Sequence, residues 1–258
     1  MSIPINPSVR LKVISIATDP SLSQAIKSDM LSASKCRYQS IFDGPEEPTA
    51  RSELTMTTVQ FNDREIRPPK IICVGRNYSD HIAEMGSLPS AEMTVFMKPS
   101  TSIGDSLIAD RGEPIHYEGE ICLLIEQGRF TGVGFGLDLT KRETQSQLKK
   151  AGLPWERAKA FAGSALFSDF VSAPAELDEL MLELRVNGGL QQQGGVKHML
   201  YKPATIIEEL NHFLTLEDGD IVMTGTPAGV GPVLQGQSFE GQVLAGSKVL
   251  TRVTWQAI

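Results

Sequence analysis

The sequence predicts a mainly β protein with short helices, an α+β class, and three observations carry that prediction. Twenty-three glycines and 15 prolines break 258 residues into short stretches, which favours strands and turns over long helices. Several runs of strand length are continuously apolar or alternate, among them residues 71–74 (IICV), 94–98 (TVFMK) and 121–125 (ICLLI). Asn187-Gly188, set between LELRV and LQQQ, is the strongest local hairpin signal in the chain.

Composition narrows the function before any motif does. With 41% hydrophobic and 21% charged residues the chain can bury a substantial core and is not a disordered one. A net charge of −7 and a pI near 5.2 argue against nucleic acid or an anionic membrane as partner, leaving a small molecule as the default. The first 15 residues, MSIPINPSVRLKVIS, hold no apolar core of signal-peptide length, and no run approaches the ~20 apolar residues of a membrane span. The expectation is a soluble, cytoplasmic protein. Cys36, Cys73 and Cys122 are odd in number and widely spaced, so they read as buried thiols and not as a disulfide or zinc site.

Taken in order, residues 9–17 read as a strand, and Asp19 or Ser21 caps a short helix ending near Ser32. Residues 55–61 (TMTTVQF) read as another strand. Residues 1–68 are taken as a small N-terminal extension packed on a catalytic domain of residues 69–258. The strand at 71–74 runs through Gly75 into a short helix capped by Ser79 and stopped by Gly86, with Ile82 and Met85 facing inward. That helix places His81 and Glu84 at i and i+3, where a carboxylate fixes the imidazole tautomer and raises its basicity. In the next strand Lys98 alternates out of an apolar segment and is expected to snorkel at the strand end.

Residues 115–140 concentrate the acids. Glu118 and Glu120 flank one glycine; in a strand they share a face, ~6.7 Å apart, while Ile121 and Leu123 face the other way. A turn at Gln127-Gly128 brings the next segment back antiparallel, its Gly132, Gly134 and Gly136 permitting close backbone approach, so that Asp138 faces the pair. Three carboxylates without thiols suit a hard divalent cation, Mg2+ above Mn2+ or Ca2+.

Further along, Thr140 and Glu143 form a capping-box pattern opening a polar helix that carries Arg142 and Gln145, and residues 154–168, a short helix running into small residues, carry Lys159. Thr205 and Glu208 open a helix with Ile206, Ile207, Leu210, Phe213 and Leu214 on one stripe and His212 off it; His198 has no visible partner. Residues 221–223 enter a loop, TGTPAGVGP, whose backbone N–H groups and hydroxyls suit a carboxylate. Residues 241–246 and 248–255 close the chain as strands.

The motifs GRNYSDHIAEMG, FMKP, YEGEICLLI, LDLTKRETQ, GLPWERAKAF, VNG and DGDIVMTGTPAGVG, in that order, resemble the fumarylacetoacetate hydrolase superfamily over residues 70–255. Within it the chain is most similar to single-domain acylpyruvases, some of which also decarboxylate or tautomerise oxaloacetate. The resemblance implies a mixed β-sandwich roll around a metal site, assembled as a homodimer. It also implies Glu118, Glu120 and Asp138 as metal ligands, His81, Glu84 and Lys159 as catalytic residues, and Arg76, Arg142, Gln145 and Thr226 as substrate-binding ones. Two departures stand out: only EQGRFTG links the two acid-bearing strands, and Ala162 and Leu166 are expected to alter the pocket wall.

The expected function is metal-dependent C–C hydrolysis of 3-acylpyruvates (2,4-dioxo acids) to pyruvate and a carboxylic acid. His81 would activate water, and the metal and Lys159 would stabilise the departing pyruvate enolate. Decarboxylation or tautomerisation of oxaloacetate, or an isomerase or decarboxylase step in aromatic-compound degradation, would use the same enolate. A non-catalytic metal-binding protein is the remaining alternative.

Overall fold

The structure, a computed structural model, describes residues 57–84 and 92–258. Strands β1 (Val59–Phe61) and β2 (Arg64–Ile66) form a hairpin, and β3 (Lys70–Gly75) leads into helix α1 (Ser79–Glu84). After β4 (Thr94–Pro99), β5 (Ile115–Tyr117) passes through Glu118 into β6 (Gly119–Glu126), which turns into β7 (Arg129–Asp138). Then come β8 (Thr140–Lys141), α2 (Arg142–Ala151), α3 (Glu156–Lys159), β9 (Ala165–Phe167) and β10 (Val171–Ser172). The chain continues with β11 (Leu180–Val186), β12 (Gly189–Gly195), α4 (Pro203–Phe213), β13 (Ile221–Met223), β14 (Gly231–Pro232), β15 (Ser238–Ala245) and β16 (Lys248–Gln256).

The central sheet runs β10-β7-β6-β13-β3-β4, with β9 also on β7, and only its β13–β3 pair is parallel. A second sheet, β12-β11-β15-β16, is antiparallel throughout, and a short one, β14-β5-β8, lies beside the acid-bearing strands. This is the mainly β, mixed-sheet architecture the sequence predicts.

The central sheet is covered on both faces, which is why β3, β6 and β13 are continuously apolar instead of alternating. Ile121, Leu123, Phe135 and Leu137 pack with Leu182, Leu184, Phe239 and Val243 of the second sheet. Cys122 and Leu124, on the other face of β6, pack with Phe61, Ile71, Phe170 and Met223. Cys73 and Cys122 are free and buried; Cys36 lies outside the described residues. The β6–β7 turn sits where the sequence places it, with Gln127 and Gly128 at φ 53 and 70°. The hairpin at Asn187 and Gly188 has φ 50 and 80°. Gly136 is obligatory in kind: a Cβ there would stand 2.5 Å from Cys122 Sγ.

The expected strand at 55–61 is present as β1 from Val59, and Phe61 reaches the core beneath the central sheet. The strand at residues 9–17, the helix after it and the helix stop at Gly86 lie outside the described residues, as does Met85. Two helix starts differ from expectation. α4 begins with Pro203 at its first turn, two residues before Thr205, and Phe213 is 59% exposed instead of joining the buried stripe of Ile206 and Leu210. At α2 no side-chain cap forms; the Thr140 hydroxyl is engaged elsewhere. Among the described residues no helix is long and apolar enough to cross a membrane.

Candidate active site

The three acids converge because of register. Gly119 pairs with Leu137 and Glu120 with Gly136, so Asp138 N–H donates to Glu118 O at 2.9 Å and the ends of β6 and β7 lie side by side. Glu118, Glu120 and Asp138 are all buried, with one carboxylate oxygen from each within 4.8 Å of the others. Lys159, delivered by the end of α3, is buried among them and donates to Glu118 Oε2 at 2.8 Å, Asp138 Oδ2 at 2.6 Å and Thr140 Oγ1 at 2.6 Å. Arg142, in the first turn of α2, spans Glu118 Oε1 at 2.5 Å and Gln145 Oε1 at 2.8 Å.

His81 and Glu84 meet as the i,i+3 spacing predicts, Nδ1 to Oε2 at 3.2 Å, which leaves Nε2 free for chemistry. Glu84 is held from behind by the Gly229 N–H, 3.0 Å from Oε1. The glycine-rich loop after β13 therefore does bind carboxylates, but they are the protein's own: Gly225 N–H donates to Glu120 Oε2 at 2.6 Å. Gly225 has φ 101°, and a Cβ would lie 2.7 Å from the Asn77 Cβ, so only glycine lets this loop close on the turn after β3. Thr226 Oγ1 donates to Gly119 O at 2.9 Å and accepts from Gln192 Nε2 at 2.8 Å.

One cavity, with about 510 Å³ of space including its mouth, gathers every predicted site residue except Glu84: Arg76, His81, Glu118, Glu120, Asp138, Arg142, Gln145, Lys159 and Thr226. Lys149, Phe96 and Trp155 complete much of its wall. Ala162 and Leu166 are not in that wall. Ala162 is exposed, and Leu166 is buried in the core between the two sheets, so their expected effect on the pocket is corrected.

Two contributors were not anticipated. Lys98 does not snorkel; it is fully buried, with Nζ 2.8 Å from Asp138 Oδ1, 3.0 Å from Ser164 O and also hydrogen-bonded to Lys159 O. A lysine alternating into the covered face of a sheet, with no solvent at its tip, was the available signal. Gln192, read only as hairpin, is buried; besides contacting Thr226 it accepts the Gly119 N–H at 2.8 Å, fixing the residue between the two glutamates.

Charge in the site is strongly biased. Burial pushes the Glu118 carboxyl up, but the Lys159 ammonium, the Arg142 guanidinium and His81 together hold it well below the usual range. Burial, reinforced by Asp138 and Glu118, drives Glu120 well above it despite the Gly225 N–H. Burial lowers Lys159, yet Asp138 and Glu118 outweigh that and raise it to about 12. Asp138 is held on both sides, Oδ1 by the Lys98 ammonium at 2.8 Å and Oδ2 by that of Lys159 at 2.6 Å. Three buried oxygen donors converging within 4.8 Å of one another, one of them driven toward protonation by burial and by its like-charged neighbours, fit a hard divalent cation.

Residues 70–254 match the family model described as fumarylacetoacetate (FAA) hydrolase, C-terminal. An oxaloacetate tautomerase of Escherichia coli (strain K12) is 40% identical over 198 residues, 68% of this chain and 90% of that protein. The human mitochondrial oxaloacetate tautomerase is 38% identical over 195 residues, 67% of this chain and 86% of its own. Among solved structures, a putative fumarylacetoacetate isomerase/hydrolase from Oleispira antarctica superposes with TM-score 0.71 at 37% identity, covering 78% of this chain and 99% of that one. A fumarylpyruvate hydrolase from Pseudomonas aeruginosa, in complex with Mn2+ and pyruvate, gives TM-score 0.70 at 28% identity, covering 78% and 95%. These relatives favour the tautomerase alternative over the expected acylpyruvate hydrolysis, since the hydrolase is the more distant of the two kinds.

Proposed function

The chain belongs to the fumarylacetoacetate hydrolase family, and from that premise we propose that it is a divalent-metal-dependent oxaloacetate tautomerase, interconverting the enol and keto forms of this 2-oxo acid. The observation that carries the reading is one cavity in which an acid triad, a buried ammonium and a carboxylate-supported imidazole converge. Tautomerisation needs little else: one proton moves at C3 and one at the C2 oxygen.

In the keto-to-enol direction, His81 takes the C3 proton, the C–H pair becomes the C2–C3 double bond, and the C2 oxygen acquires the negative charge and then a proton. Glu84, anchored by Gly229, holds the imidazole in place through Nδ1. Lys159 stabilises the charge growing on the C2 oxygen. Glu118, Glu120 and Asp138 would hold the cation, Mg2+ or Mn2+, whose Lewis acidity supplies further stabilisation of that oxygen. Arg142, Gln145 and Thr226 line the same cavity and position the substrate's 2-oxo carboxylate. The reading includes a homodimer in the cytoplasm, checked by sedimentation and fractionation.

The test is the decay of enol absorbance from freshly dissolved oxaloacetate with pyruvate release followed in parallel. Mg2+-dependent acceleration of enol decay, abolished by chelator and by Glu118→Ala, without matching pyruvate release, is the expected result. Metal-dependent pyruvate release at the same rate would make the protein a decarboxylase. Activity on acetylpyruvate alone would return it to C–C hydrolysis.

A further inference from the structure

Five cations stand in or behind the cavity, and three are already engaged. Lys98 serves Asp138, Lys159 serves Glu118 and Asp138, and Arg142 serves Glu118. Arg76 and Lys149 also line the cavity, and among the described residues neither has a carboxylate partner. They are not simply solvated surface charges. Arg76 is partly buried with φ 59°, a left-handed backbone that a non-glycine residue adopts at a cost. Lys149 is partly buried with its ammonium 4.7 Å from the Trp155 ring centroid, and Trp155 in turn leans on Phe96 at 5.8 Å. Burial, with Arg76 and Arg142 nearby, lowers Lys149 to about 8. Two partly desolvated cations thus line one cavity and repel each other without an ion-pair contact, and nearby Glu118 is already engaged by Lys159 and Arg142.

We propose that Arg76 and Lys149 form a subsite for the distal carboxylate of the substrate, selecting 2-oxo dicarboxylic acids over 2-oxo acids with a neutral tail. The inference rests on the functional reading above for where the 2-oxo end binds, and it extends that reading by assigning the residues that recognise the other end. A monocarboxylic 2-oxo acid engages the acid triad's side of the cavity but leaves both cations unpaired. A diacid neutralises them as it binds. Lys149 is a specificity residue here and takes no part in proton transfer. Sequence reasoning passes over it because it sits on a helix that is polar nearly all round.

The experiment is calorimetric titration of the Mg2+-loaded protein with two unreactive ligands that share an oxalyl end, N-oxalylglycine and its glycine methyl ester. For Lys149→Met the diacid is expected to bind roughly tenfold more weakly, the loss of one charge-assisted hydrogen bond, with the ester unchanged. Lys149→Arg restores most of the preference. Arg76→Asn, which suits the left-handed backbone, repeats the pattern independently and covers the case in which one variant fails to fold. In kinetics the change falls on KM for oxaloacetate. Equal weakening of both ligands, or of neither, overturns the subsite. Failure of the functional reading looks different: the wild type then prefers the diacid but shows no keto–enol turnover.

Discussion

Replacing Lys98 with methionine removes a charge from the protein's interior while nearly keeping the side-chain volume. The ammonium is fully buried, 2.8 Å from Asp138 Oδ1, 3.0 Å from Ser164 O and 3.1 Å from Ser164 Oγ. The carbonyls it touches keep second donors, since Lys159 O also accepts from Ser164 Oγ and Ser164 O accepts from Leu139 N–H. The loss therefore falls on Asp138, which retains Lys159 at 2.6 Å on its other oxygen. Breaking a buried ion pair from one side costs about 3–5 kcal/mol, and the surviving Lys159 contact puts Lys98→Met near the lower end, about 3 kcal/mol. For a body of this size that is a fall in Tm of about 6–12 °C. Urea denaturation in chelator reads it, and Mg2+ should narrow the gap by replacing the missing positive charge. A loss below ~1 kcal/mol in chelator would refute the assignment of Lys98 as the buried counter-charge of Asp138.

Lys159→Met leaves three buried carboxylates with one ammonium fewer, so the variant should melt well below wild type in chelator. Mg2+ at ~100 times its Kd should return about 2.7 kcal/mol, checked by calorimetric melting with and without the ion. Gln192→Leu strands the buried Gly119 N–H and frees Thr226; it should cost about 1–3 kcal/mol in urea titration and weaken Mg2+ binding through the loosened Glu118–Glu120 segment. Diacid binding should depend on pH through Lys149, charged below about 8 and neutral above it. Lys159, raised to about 12, and Glu118, held low, keep their charges over the same range. The preference of diacid over methyl ester should therefore fall as pH rises toward 9, read by calorimetry at each pH.

What could be read from the sequence was local. Glu118 and Glu120 share a face because strands have period two, and the Gln127-Gly128 turn returns Asp138 to them; both follow from residues within 21 positions of one another. His81 and Glu84 follow from one turn of helix. What was missed depends on distant chain. Lys98 is buried because Ser164, 66 residues away, and Asp138 close over it. Gln192 reaches Gly119 across 73 residues. Thr140 has the right neighbours for a cap, but the Lys159 ammonium claims its hydroxyl first. The glycine-rich loop suggests a site for a ligand's carboxylate, but its Gly225 and Gly229 N–H groups serve the protein's own Glu120 and Glu84, a consequence of how β13 pairs with β6 that no local pattern encodes. Ala162 and Leu166 are expected in the pocket wall because they depart from the family pattern after Lys159, but the turn after α3 carries them away from the cavity.

The central claim is that His81 moves a proton at C3 while the site stabilises the enolate. Its most direct test is solvent-deuterium exchange at C3 of oxaloacetate, followed by NMR on the Mg2+-loaded protein and on His81→Gln. The account predicts rapid enzyme-dependent exchange in the wild type with little pyruvate formed, a loss of at least ~10²-fold in His81→Gln, and Mg2+ binding retained by the variant. Exchange that survives His81→Gln, or pyruvate accumulating as fast as deuterium enters, would contradict it.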